Sequence, residues 1–290
     1  MVFCKNSIHK LININDSSNI AVVPITKNVG CLSSHSVQEI GGDLVFLSPD
    51  GIRSVAGTAR IGDVELGSVS RQVQDLISNL ATLIDTHVIT SAVLRKKSQY
   101  RLFYSPATGN VADAKGIIGT LTANGFEFSE TKGIQALGLD SGFDEENIEQ
   151  IYHGDKDGYI YNHDIGSSFL SSGAEQNIDA QYITPNFDFG DVGTRKTMHY
   201  AKISVSPEGG VSPTLRVRYD YEDPNIPQPS DYPLATIPLP ATFGTSLFGT
   251  GVFGASNDPM VRQALEGSGH AVSFRISSLD KKASYSINGL

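Results

Sequence analysis

The chain has no tryptophan and only two cysteines among its 290 residues. The missing tryptophan weighs against the many propeller and sugar-binding families whose signatures rely on that side chain. Cys4 and Cys31, with no Cys-x-x-Cys spacing, exclude a disulfide scaffold and a zinc ribbon. Free cysteine behaves as a small core residue. Two buried thiols are therefore expected, with a single disulfide as the alternative. No apolar run approaches the ~18 residues of a membrane-crossing helix, so no membrane span is expected. No basic stretch followed by a long apolar segment opens the chain, so no signal peptide is expected and synthesis in a reducing cytoplasm follows. Charge is sparse, at 18% of residues, and sums to −9. An acidic chain is a poor candidate for tight phosphate binding, which needs clustered cations. The largest basic cluster, Arg95-Lys96-Lys97 with Arg101 after it, reads as a solvated strand end or loop.

Glycine (29) and proline (13) are plentiful, and Val, Ile, Phe and Tyr are spread throughout. This is the profile of an all-β protein with many turns. A hairpin pattern occurs twice. Leu44 to Val55 is an apolar run, a Pro49-Asp50-Gly51 turn and a second run; Ile151 to Tyr161 has the same layout around Asp157-Gly158. A fainter copy spans Val2 to Leu11, with Asn6-Ser7 at the turn, and a degenerate one centres on Gly109. The turn centres Ser7, Gly51, Gly109 and Gly158 lie roughly 44–58 residues apart, the scale of β-propeller blades.

Residues 68–84 break this rhythm. Val69, Val73, Leu76, Ile77, Leu80 and Leu83 sit at helical spacing, with Ser68 or Ser70 as the expected cap, which predicts an amphipathic helix packed on the core. After about Ile178 the texture changes. Leu215, Val217, Tyr219 and Tyr221 alternate with Arg216, Arg218 and Asp220, which predicts a half-exposed antiparallel strand. The expected architecture is all-β: incomplete β-propeller-like repeats with one amphipathic helix over 1–178, then a β-sandwich-like domain over 179–290. That second domain carries an insertion, 223–255. Its first part holds six prolines between Asp223 and Pro240 and is expected to be extended. Its second part repeats Phe-Gly at Phe243, Phe248 and Phe253. Five-residue spacing fits neither helix nor strand, so these rings are read as a loop packed on its own domain or as an interface.

The chemistry-bearing residues form no catalytic motif. The seven histidines lack metal-ligand spacing. His153 and His163 flank the second hairpin and are placed to approach one another across it, which by itself reads as a surface or strand pair. Asp155-Lys156-Asp157-Gly158 begins like a calcium loop, but Gly166 stands where a bidentate glutamate is required; a turn held by Asp side chains accounts for it. Asp144-Glu145-Glu146 reads as a solvated loop. Neither a Walker loop nor Gly-x-Ser-x-Gly is present. No catalytic residue, cofactor or metal is expected. Ser48-Pro49-Asp50-Gly51 resembles a fragment of the Asp-box of sialidase propellers, without the aromatic residue that normally closes it.

Gly30 to Val37 followed by Asp43 to Val55 resembles the propeller region of bacteriophage tail nozzle (tail tubular, head-closure) proteins, in which a hairpin ending in Gly-Ile or Gly-Phe recurs. Gly62 to Ser70, Tyr182 to Lys196 and the Phe-Gly-Thr loop are similar as well. The resemblance implies a non-enzymatic virion protein in a short tail, assembled in the host cytoplasm. It implies rings of copies of itself, sixfold in relatives, around a channel through which DNA passes without specific binding. Tail adaptor and tail fibre proteins are the implied partners. With three or four blade-like units, closure of the propeller is expected to come from another tail polypeptide, or from the rest of a longer gene product. A host-glycan-binding or glycan-cleaving propeller is the alternative.

Overall fold

A computed structural model describes residues 1–56, 70, 73–108, 110–166, 169–171, 173–207, 211–234, 260–280 and 284–290. The chain divides into two compact units: Met1–Ile165 with Ser171–Gly173, and Gly166–Leu170 with Ala174–Leu290. Among the described residues, each strand pairing with a defined register is antiparallel and one helix is longer than a single turn. No described helix is long and apolar enough to cross a membrane.

The described residues of the first unit form four sheets, each made of consecutive strands. β1 (Val2–Phe3), β2 (Ile8–Ile12) and β3 (Ala21–Thr26) form the first; β4 (Gln38–Ile40), β5 (Asp43–Ser48) and β6 (Gly51–Ser54) form the second. Helix α1 (Gln74–Leu83) precedes the third sheet, made of β7 (His87–Leu94), β8 (Gln99–Pro106), β9 (Lys115–Thr122) and β10 (Gly125–Lys132). β11 (Gly138–Phe143), β12 (Glu149–Gly154) and β13 (Ile160–Asn162) form the fourth.

The burial pattern shows how these sheets meet. Side chains alternate along a strand, yet β5 is apolar without interruption over Leu44 to Leu47. Phe46 packs with Ile8, Cys31 and Phe3 on the side of the first sheet. Val45 and Leu47 pack with Ile89, Val93, Tyr100 and Leu102 of the third. The third sheet is covered on both faces too, because Ala92 and Leu94 meet Ile151 and Leu139 of the fourth. The four sheets therefore stack in chain order, and an inner strand buried on both faces must read as a continuous apolar run. Among the described residues, apolar side chains on the two outermost faces stay exposed. Leu11 and Val22, cross-strand partners in the first sheet, are exposed, as are Tyr152 and Ile160 on the fourth.

Both hairpins fold around their turns. Leu47 pairs with Ile52 and Ser48 with Gly51, leaving Pro49-Asp50 as a two-residue connection. In the second, Gly154 pairs with Ile160, so the loop is five residues long and Gly158 sits inside it with φ 85°. Helix α1 places Ile77 and Leu80 fully in the core. The residue at the cap position is Val73, which makes no side-chain cap bond; of the two serines expected there, Ser68 lies outside the described residues. The Ser70 hydroxyl accepts the Ile52 N–H at 2.9 Å, tying the chain before the helix to β6.

In the ribbon that follows, β14 (Phe169–Ser171) pairs with β15 (Ala174–Gln176). The second unit then holds β16 (Ile178–Ile183), β17 (Lys196–Thr197), β18 (Tyr200–Pro207), β19 (Thr214–Tyr219), β20 (Tyr232–Pro233), β21 (Met260–Ala264), β22 (Ser268–Gly269), β23 (Val272–Asp280) and β24 (Tyr285–Gly289). Sheet β16-β23-β19-β20 and sheet β21-β18-β24 share one core. Leu215, Val217 and Tyr219 contribute from β19, Phe274 and Ile276 from β23, and Ile203 and Val205 from β18. The alternation expected for β19 ends one residue pair early: Tyr221 lies in a turn with φ 61° and is exposed. Asp220, in the same turn, accepts the backbone N–H groups of His270 and Ala271, which pulls the chain out of the strand.

Candidate functional site

The seam between the third and fourth sheets of the first unit is unlike the other two. Those combine apolar contacts with hydrogen bonds of neutral groups, such as the Tyr100 hydroxyl donating to the Ser36 carbonyl at 2.8 Å, whereas this one encloses a network in which charged and titratable groups from both sheets meet. It begins with Arg101, in the middle of β8. Its neighbours Tyr100, Leu102, Phe103 and Tyr104 are all buried, and its own side chain is only 3% exposed. A guanidinium there needs partners, because burying an unpaired charge costs several kcal/mol. Asp164, just past β13, supplies both oxygens, at 3.2 Å to Nη1 and 2.6 Å to Nη2. Gln99 Oε1 accepts from Nε and Nη2 at 3.2 and 2.7 Å.

His163 and His153 complete the network. Arg101 Nη1 lies 3.4 Å from His163 Nδ1 and has only protons to offer. The proton of neutral His163 therefore sits on Nε2, which donates to His153 Nδ1 at 2.8 Å. Phe103 meets the His163 ring edge-on, and Tyr161 stacks on His153. Burial, then His153 and Arg101, depress the His163 pKa to about 4, against the opposing pull of Asp164. Burial lowers that of His153 as well. Burial alone raises Asp164, but hydrogen bonds from Arg101 and Lys97 outweigh it and hold the carboxyl at about 2.

Arg95-Lys96-Lys97 form an exposed turn after β7, as expected of a solvated strand end, whereas Arg101 is buried; the exposed turn also borders this seam. Arg95 pairs with the buried Glu149 at 3.2 Å, and the Lys96 N–H donates to the same carboxylate at 3.0 Å. Lys97 reaches Asp164 at 2.7 Å. A cavity of about 230 Å³ opens beside these groups, lined by Lys96, Lys97, Glu149, Gln150 and Ile165 among others. The approach of His153 to His163 was legible from the second hairpin. Their burial, and their union with Arg101 and Asp164, were not. The available signal was Arg101 itself, a lone cation within Tyr-Arg-Leu-Phe-Tyr.

What the network does is hold two sheets together. His163 is neutral at pH 7, and its acceptor nitrogen faces a guanidinium. Among the described residues, no group of three His, Cys, Asp or Glu side chains is arranged to hold a metal ion. The Asp155 loop is closed by its own side chain, which accepts the N–H groups of Asp157 and Tyr159, each at 2.9 Å. Asp144 holds its loop in the same way through Glu146 and Ile148. Asp50 is bound to the buried Arg53 and to Ser48 within the first hairpin. In the second unit an apolar groove of about 500 Å³ lies between β16 and β24, lined by Ile178, Tyr182, Tyr285, Ile287 and Leu290. The candidate interface residues Phe243, Phe248 and Phe253 lie outside the described residues.

A scan against models of known protein families finds no match for the chain, and a search of curated proteins finds none either.

Proposed function

We propose that this chain is a structural protein of a short-tailed bacteriophage virion, a tail nozzle or tubular component that forms a ring around the DNA exit channel. The observation that carries this reading is the serial stacking of four antiparallel sheets in chain order. Consecutive-strand sheets stacked face to face are the building plan of propeller blades. The first unit is accordingly read as an incomplete β-propeller and the second, with two sheets around one core, as a β-sandwich-like domain. Exposed apolar side chains on the outer faces of the first and fourth sheets, Leu11 with Val22 and Tyr152 with Ile160, support closure by another tail polypeptide, since such groups together ordinarily find a partner. Acidity supports the channel role. A net charge of −9 lets DNA slide past without being held. The short phrases that resemble those of tail nozzle proteins support this particular assembly, and the Phe-Gly loop is read as one of its contact surfaces.

Native mass spectrometry of the purified chain tests the reading. A single closed oligomer, six copies on the pattern of the resemblance, is the expected result. A monomer at all protein concentrations, or cleavage of a host glycan by that monomer, overturns it.

A further inference from the structure

The chain's two cysteines, far apart in sequence, are brought together at the backbone. The Cys31 N–H donates to the Cys4 carbonyl at 2.8 Å. Adding the covalent spans on either side of that bond holds the two Cα atoms within about 6.7 Å, inside the range of roughly 4.4–6.8 Å that a disulfide bridges. Gly30 makes the approach closer still. A Cβ at that position would lie 2.1 Å from the Lys5 carbonyl oxygen, so no side chain separates the two segments. Both cysteines line one cavity, with Phe3, Val37 and Leu44. They differ in access. Cys4 is exposed, whereas Cys31 is buried and its thiol donates to the Ser33 carbonyl at 3.0 Å. The expectation of two buried thiols therefore holds only for Cys31.

We propose that Cys4 and Cys31 are a latent disulfide pair, free in a reducing compartment and closed on exposure to a disulfide oxidant. The chemistry is thiol–disulfide exchange with an oxidant such as glutathione disulfide. The Cys4 thiolate is the accessible nucleophile. It attacks one oxidant sulfur, the oxidant S–S bond breaks, and one glutathione thiolate leaves. Cys31 gives its proton to solvent and attacks the Cys4 sulfur of the mixed disulfide, and the second glutathione leaves. Two protein thiols are oxidised and one oxidant disulfide is reduced to two thiols. Cys31 reacts second because burial raises its pKa. The bridge ties the β1–β2 hairpin to the segment that leads into β4, clamping the first sheet beside the second. This inference goes beyond the virion role proposed above and stands without it.

The test is incubation of the folded full-length chain with oxidised glutathione, read by intact mass, thiol titration and peptide mapping. The expected result is a loss of two hydrogens, a fall from two thiols to none, and a peptide joining Cys4 to Cys31. The thermal unfolding midpoint rises on oxidation of the wild type and stays fixed in Cys4→Ser and in Cys31→Ala. Cys4→Ser, at an exposed position, serves as the control if the buried Cys31→Ala fails to fold. A stable glutathione adduct on Cys4, a Cys4–Cys4 dimer, or two unreacted thiols each overturns the proposal.

Discussion

Arg101 and Asp164 form one ion pair, but their surroundings make the two partners unequal. Asp164→Asn removes the carboxylate and strands a guanidinium whose side chain is 3% exposed. Gln99 Oε1 and His163 Nδ1 remain as neutral acceptors. Breaking a buried pair from one side costs about 3–5 kcal/mol; the remaining acceptors put the expected loss near ~3 kcal/mol. Arg101→Met leaves a carboxylate that is 39% exposed and still bound by Lys97 at 2.7 Å, and methionine fills part of the volume. Its expected cost is ~1–2 kcal/mol, mostly lost hydrogen bonds. Once Arg101 is gone the carboxylate has little left to neutralise, so the double variant should cost about as much as Arg101→Met alone. The coupling between the two sites is then ~3 kcal/mol in magnitude. Urea unfolding followed by far-ultraviolet circular dichroism measures all three, since the chain has no tryptophan to report by fluorescence. Equal costs for the two single variants, or additive costs in the double, would refute the claim that Arg101 is the buried partner.

The depressed His163 pKa sets a pH window. In the unfolded chain the group titrates near its ordinary 6.5 and in the folded chain near about 4, so the unfolded state binds the extra proton between them. Its contribution is full above about 6.5 and falls away toward pH 4, by about 3 kcal/mol; in His163→Gln that slope should flatten, and an unchanged slope counts against the buried neutral ring. Leu80→Ala empties a fully buried helix position and should cost ~2–4 kcal/mol, measured by the same unfolding curves; a loss under ~1 kcal/mol would mean that α1 is not packed as described. Gly116→Ala puts a Cβ 2.5–2.6 Å from Thr131 and Phe103 and should destabilise the third sheet by ~1–3 kcal/mol; a neutral variant would contradict that packing. Fluorescence anisotropy with labelled duplex DNA at physiological salt should show no tight binding, and tight salt-sensitive binding would contradict the proposed channel role.

Local chemistry was readable in the sequence; long-range pairing was not. Pro49-Asp50-Gly51 and Asp155 to Gly158 announce turns because their side chains and φ preferences act within a few residues. The helix shows in the spacing of Val73, Leu76, Ile77, Leu80 and Leu83, since α1 buries one stripe. The stacking of sheets is written only faintly, in the uninterrupted run Leu44 to Leu47, where alternation fails because both faces are covered. The Arg101 network hides for a different reason. Arg101 and Asp164 are more than sixty residues apart in sequence, and nothing local in either segment names the other. The cysteines hide in the same way, because only the backbone bond between two segments of coil brings them together. Tyr221 misled the reading of β19: alternation continues in the sequence, but the carboxylate of Asp220 caps two backbone N–H groups and ends the strand.

Electron microscopy of the purified chain, alone and mixed with tail proteins of the short-tailed phage proposed to encode it, tests the central claim most directly. The account expects rings of repeated copies around an open axial channel, with density that closes the first and fourth sheets of each copy. Isolated particles of a single copy under both conditions would contradict it.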